Sequence, residues 1–307
     1  MHSFWDSCFR DQRALANLPS ISLGHAGDEF HELGNHEVLQ LVFALLPHLP
    51  AGEQRARLHR DERLDRDSQN FVRNTKYCGI GDSRQKAVVG YNKPKSLVGL
   101  KASMSDWAAL DITAAVAWMR ERYPDLPLNY VGHSFGGQAL GLLPNNAEIS
   151  RALLVAAQAA YWKLMASPER YRVYAMLNFV GTPLTHLLGY APGWSGLGED
   201  LPKGVFLEWV RWAMSKRYLF DDPKLKALEN FPEYRGAMRA LCLSDDPWAT
   251  RPAVELLCSG FSSTKPEILT ITPANVGATK IGHFGFFRPE HRDTLWRGAA
   301  EWIEAAA

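Results

Sequence analysis

Along the last two thirds of the chain, short apolar runs alternate with longer stretches of helical periodicity, with Pro and Gly between them, which predicts strands alternating with helices. The clearest helix starts from a cap at Ser105 and runs to about Tyr123. Trp107, Leu110, Ala114, Ala117 and Trp118 fall at the three-and-four spacing of one buried face. Pro124 and Pro127 end it. Leu128 to Val131 then reads as a short strand, Gly136 to Leu143 as the next helix start, Ala152 to Ala157 as a second strand and Ala237 to Leu243 as a third.

Between the second and third of these strands lies a long segment, about 161 to 235, holding fourteen of the thirty-four aromatic residues. A helix is expected from about Lys203 to Lys216, with Phe206, Trp209, Val210 and Ala213 on one face. Gly181-Thr182-Pro183 and Gly189 to Gly198 read as turns between helical pieces. Most of these rings are expected to pack the segment onto the core as a helical lid insertion, while some line a cleft beneath it and favour an apolar substrate.

Chemistry enters where the first strand meets the following helix, at Gly132-His133-Ser134-Phe135-Gly136. A G-x-S-x-G pentapeptide is a weak signal alone, but here it stands at the carboxyl end of a predicted strand and opens a predicted helix. That is the setting of a serine nucleophile held on a strained turn. Glycine is required on either side because a Cβ would meet the neighbouring backbone. A serine hydroxyl needs a base, and the base an orienting acid. Ser244-Asp245-Asp246-Pro247-Trp248 follows the Ala237 to Leu243 strand, and His283 stands between Gly282 and Gly285 in an apolar run. An Asp before Pro also serves as a turn or helix cap, and a histidine among aromatics as a core residue. The serine, aspartate, histidine order is what joins these residues into one candidate set.

From about residue 97 onward the chain resembles bacterial α/β hydrolases of the serine aminopeptidase and monoacylglycerol lipase type. The resemblance rests on Gly132-His133-Ser134-Phe135-Gly136-Gly137-Gln138, on Ser244-Asp245-Asp246-Pro247-Trp248 and on Ile281-Gly282-His283-Phe284-Gly285-Phe286-Phe287-Arg288. It implies a single α/β-hydrolase domain over 1–307, a mostly parallel central sheet flanked by helices, and a lid at 161–235. By the same resemblance Ser134 is the nucleophile, His283 the general base and Asp246 the orienting acid, with Asp245 a rival because adjacent carboxylates are not ranked by spacing. The Phe135 backbone N–H is the expected oxyanion donor. The implied activity is hydrolysis of a carboxylic ester ahead of an amide. Acyl transfer to an acceptor other than water, and a non-catalytic binding scaffold on the same fold, are the alternatives.

The front of the chain departs from that family. A strand ending in a His-Gly loop should supply the second oxyanion amide; Ile21-Ser22-Leu23-Gly24-His25-Ala26-Gly27 is the nearest candidate, and a simple turn is the preferred reading. Tyr77-Cys78-Gly79-Ile80-Gly81-Asp82-Ser83-Arg84 resembles the loop after the family's fourth strand. Residues 1–75 carry eight arginines, no lysine and six of the ten histidines, whereas lysine recurs from Lys76 onward. This stretch reads as a divergent module or as a reading-frame error in the coding sequence.

Other functions are disfavoured. The ten charges between Glu53 and Asp67 divide five against five and the formal net charge is +1, so no basic stripe for nucleic acid is expected. His31 and His36 are five apart and would point about 140° from each other on a helix, so no metal site is expected there. Cys8, Cys78, Cys242 and Cys258 lack paired metal spacing, and the start has no basic-then-apolar signal segment, from which a reduced cytoplasmic setting is expected. The longest apolar stretch, Val38 to Leu46, is too short to span a bilayer. No cofactor is expected, and the partner is a small-molecule substrate.

Overall fold

Apolar strands with few exposed positions need cover on both faces, and the parallel centre of this molecule is built from such strands. The computed structural model describes residues 43–47, as backbone, and residues 96–305. Its main sheet has the order β1 (Phe43–Pro47), β2 (Leu128–His133), β3 (Ile149–Val155), β6 (Ala237–Leu243) and β7 (Glu267–Ile271). Strands β2, β3, β6 and β7 run parallel, and β1 pairs antiparallel with β2. All six residues of β2 are buried, as are the last four of β3 and of β6. β4 (Tyr190–Ala191) and β5 (Leu201–Pro202) form a separate small antiparallel pair.

Helices flank the sheet. The first, α1, covers 104–122 as Met104–Asp106, a π-helical Trp107–Ile112 and Thr113–Arg122. Its cap is Ser103, not Ser105: the Ser103 hydroxyl accepts from the Asp106 amide and the Asp106 carboxylate accepts from the Ser103 amide. Ser105 is instead engaged by Glu208, which accepts from its amide at 2.8 Å and from its hydroxyl. The buried face also differs from the expected one. Trp107, Ala108, Ile112, Ala115, Val116 and Met119 are buried, whereas Ala117 is exposed. The π turn inserts an extra residue per turn and rotates the remainder of the helix about its axis, a change that a fixed three-and-four spacing does not anticipate.

Residues after β3 include α3, a continuous helix over 169–188 made of Glu169–Ala175, a π-helical Met176–Gly181 and Thr182–Leu188. The turn expected at Gly181-Thr182-Pro183 is therefore helical. Pro183 falls where the π-helical piece gives way to the α-helical one, so the change of hydrogen-bond register accommodates its missing N–H, and the Thr182 and Thr185 hydroxyls donate to the Leu177 and Gly181 carbonyls. The expected turn region from Gly189 holds three left-handed glycines, Gly189, Gly196 and Gly198. Helix α4 (Lys203–Ala213) buries Phe206, Trp209 and Ala213, together with Val205 and Trp212. Asp222 ties it down, accepting from Arg211 and from the Trp212 indole at 2.7 Å. Burial opposes ionisation of Asp222, but the hydrogen bonds from Arg211 and Trp212 outweigh it and hold the carboxyl below its usual range. Helix α5 (Arg251–Cys258) packs on β6 and β7, and α7 (Arg297–Glu304) on the central strand β3.

Candidate active site

β2 ends at His133 and α2 (Phe135–Ala139) begins one residue later, so Ser134 alone makes the turn. It does so at φ 50 and ψ −118, a region that costs a side-chain-bearing residue about 1–3 kcal/mol. The turn is tight enough that a Cβ on Gly132 would lie 2.7 Å from the Gly136 backbone, and one on Gly137 would lie 2.3 Å from the Ala157 Cβ. The Ser134 amide donates to the Val155 carbonyl at 3.0 Å, and the Gly137 and Gln138 amides return to the Ser134 carbonyl. Tyr130, buried in β2, donates its hydroxyl to the Gly136 carbonyl. These bonds offset the strain and aim the hydroxyl off the sheet's carboxyl edge.

Three sequence-distant residues meet there. His283, in the four-residue α6 (Gly282–Gly285), places Nε2 at 3.1 Å from Ser134 Oγ and Nδ1 at 2.6 Å from Asp246 Oδ2. Asp246, in the loop after β6, is 3% exposed and also accepts from the Trp248 amide at 2.8 Å. An acceptor carboxylate at Nδ1 makes that nitrogen the N–H donor and leaves the Nε2 lone pair facing the serine hydroxyl.

The two adjacent aspartates divide their tasks. Asp245 does not touch the imidazole; it accepts from the Ile281 amide at 2.7 Å and the Gly282 amide at 3.0 Å. From the other side, His133 donates Nε2–H to the His283 carbonyl at 2.8 Å and packs its ring 4.8 Å from the His283 ring. The loop carrying His283 is thus held by backbone bonds on both sides. Sequence reasoning missed His133 because the pentapeptide treats its position as variable, although its place next to Ser134 was a signal.

Trp248 joins this site to the 161–235 segment. Its ring centroid lies 5.1 Å from that of His283, and its indole N–H donates to Glu169 at 2.7 Å. The Arg172 hydrogen bond, with help from Trp248, holds the Glu169 carboxyl below its usual range. A narrow cleft, partly open to solvent, adjoins Ser134. Its walls are largely apolar, including Met104, Phe135, Met165, Val173, Leu197 and Trp209, with Gln138 and Gln158 among the lining residues.

Among the described residues no cluster of three His, Cys, Asp or Glu side chains is arranged to hold a metal ion, and no helix is long and apolar enough to cross a membrane. Cys242 and Cys258 are buried free thiols, Cys258 pushed up to about 12 by burial. The candidate oxyanion loop at 21–27, the 77–84 match, the charged Glu53–Asp67 run and the His31/His36 pair lie outside the described residues; of the apolar stretch Val38 to Leu46, only the part within β1 is described.

No protein-family model matches the sequence, and no curated protein matches it. Similar solved structures include Est816, an N-acyl homoserine lactone degrading enzyme (18% identity, 67% of this chain and 77% of that one, TM-score 0.38). A monoacylglycerol lipase of Paleococcus ferrophilus is similar at 13% identity over 66% of this chain and 76% of that one, with a TM-score of 0.39. A structure of the metagenome-derived lipolytic enzymes LipS and LipT is similar at 19% identity over 67% and 75%, with a TM-score of 0.39. On its own geometry, with a serine on the strand-to-helix elbow after β2, an aspartate after β6 and a histidine after β7 at the carboxyl edge of a mostly parallel sheet, the chain has the α/β-hydrolase fold.

Proposed function

We propose that this protein is a serine hydrolase that cleaves carboxylic esters with an apolar acyl group through an acyl-enzyme. The observation that carries this reading is the line of hydrogen-bond distances from Asp246 through His283 to Ser134, 2.6 Å and then 3.1 Å. In the first step the Ser134 oxygen bonds to the ester carbonyl carbon while His283 Nε2 takes the hydroxyl proton. Asp246 stays ionised and stabilises the imidazolium through the Nδ1–H bond. The tetrahedral intermediate then expels the alcohol oxygen, which leaves with the proton from His283. Water repeats the sequence, giving its proton to His283 and releasing the acid and free Ser134.

The Phe135 backbone N–H, directly after the nucleophile, is the oxyanion donor this elbow supplies. A single such donor is worth on the order of 10² to 10³ in turnover. The apolar cleft wall favours an apolar acyl chain, and the 161–235 segment, which contributes Met165, Val173, Leu197 and Trp209 to it, acts as the lid. Esters rank ahead of amides because their leaving group needs less protonation.

Labelling with a fluorophosphonate probe tests the reading. Wild type should label, and Ser134→Ala and His283→Ala should not. A folded wild type that resists the probe, and that hydrolyses no ester in a chain-length series, would make the protein a binding scaffold instead.

A further inference from the structure

Two glutamines stand out among the residues lining the apolar cleft, and the ester chemistry just described uses neither. Gln138 is 2% exposed and lies one helical turn after Ser134 on the chain; its Oε1 accepts from the Tyr218 hydroxyl at 3.0 Å. That bond commits the oxygen and leaves the Gln138 amide nitrogen as the group it can offer. Tyr218 is held for this at φ 58, a left-handed conformation that is costly for an aromatic residue. Gln158 follows β3, just past Ala156, which is also left-handed at φ 48. It is 3% exposed, and its Oε1 is sealed from solvent without a hydrogen-bond partner.

A buried amide oxygen left unpaired is unfavourable, and a glutamine in an apolar wall packs less well than a methionine or leucine unless something bonds to it. Both residues line the same cleft as Ser134. We propose that Gln158, together with Gln138 of the same cleft lining, selects an ester that carries one further group able both to donate and to accept a hydrogen bond, a hydroxyl or a secondary amide, on its otherwise apolar part. The ligand's O–H or N–H donates to Gln158 Oε1, and its oxygen accepts from Gln138 Nε2. Bringing Oε1 to the ligand takes a turn of the Gln158 carboxamide about its last torsion, whose well is broad. The inference rests on the ester-hydrolase reading and names its substrate class.

Ethyl esters of matched length test it in a pH-stat: hexanoate, its 2-, 3- and 5-hydroxy derivatives, and N-propanoylglycine, with wild type, Gln158→Met and Gln138→Met. The expected result is a wild-type kcat/KM for at least one hydroxy or amido ester roughly 10- to 100-fold above hexanoate, with that ratio falling towards one in Gln158→Met. Which arm wins separates hydroxyl from amide. Equal wild-type values for all the esters would overturn the inference and leave the serine hydrolase intact, whatever the variants do. A preference that survives Gln158→Met in a variant that still takes the fluorophosphonate label would also overturn it. Failure of the wild type both to label and to cleave any ester would instead bring down the hydrolase reading, and this inference with it.

Discussion

The carboxyl edge of the sheet and the 161–235 segment face each other across one cleft, yet they are held by different means. At the sheet edge the anchoring bonds are mostly to backbone: Ser134 N to Val155 O, the Ile281 and Gly282 amides to Asp245, the His283 carbonyl to His133. In the segment side chains carry more of them, through Glu208 to the Ser105 amide and hydroxyl, Arg211 and Trp212 to Asp222, and Trp248 to Glu169, beside backbone contacts such as Ala166 N to Pro247 O. A tether to a backbone atom depends on the side chain at one end at most, and so holds Ser134 and the His283 loop whatever side chains surround them. A tether between two side chains is lost when either is replaced, so the segment is the more sensitive of the two regions to substitution at its joints.

That contrast can be broken from either side. The largest effect is expected from Ser134→Ala, which should lower ester turnover by on the order of 10⁴-fold or more while leaving the thermal midpoint close to wild type. Retained turnover would place the nucleophile elsewhere. In the 161–235 segment, Trp212→Ala removes a fully buried ring and one of the donors to Asp222, and should cost about 3–5 kcal/mol in urea unfolding. A loss under 1 kcal/mol would show that the segment adds little to the core.

Asp245→Ala releases two amides of the histidine loop without touching the imidazole. Turnover should fall on the order of 10²-fold, chiefly in kcat, because a misplaced base loses transition-state and not ground-state contacts. A change confined to KM would contradict the tether. Glu169→Gln, at the joint between the two regions, should act more mildly, lowering kcat/KM severalfold through a loosened Trp248 ring.

Away from both regions, the pH dependence of stability concerns α1. Asp111 is raised to about 7 by burial first and the nearby Asp106 charge second. In the window between its unfolded value near 4 and 7 the folded state binds the proton and the unfolded state does not, so stability falls as pH rises through that window. Asp111→Asn should therefore raise the urea midpoint at pH 8 relative to wild type and flatten its decline between pH 5 and pH 8. A variant with the wild-type slope would assign the titration to another group.

Much of the sheet was legible because its strands are short apolar runs closed by Pro, Gly or Asp, as at Leu128 and at Ala237 to Leu243. The elbow was legible because glycines must flank a turn this close, which the 2.7 Å approach at Gly132 makes concrete. Helix details were less so. The π turns in α1 and α3 shifted the buried face and absorbed Pro183, since neither leaves a mark in residue spacing. Ser105 reads as a cap by its type, but the contact that claims it comes from Glu208, 103 residues away.

By itself the sequence determined the alternation of strands and helices, the serine at a strand's end and the order in which an acid and a histidine come after it. These are local properties, set by hydrophobic period and by the steric needs of glycine. Only the tertiary structure decided that Asp246 faces the imidazole while Asp245 holds its backbone, that His133 braces the same loop, and that Gln138 and Gln158 share a cleft with Ser134. Adjacent residues of identical chemistry differ only in direction, and direction is fixed by how β6, β7 and the elbow pack against one another.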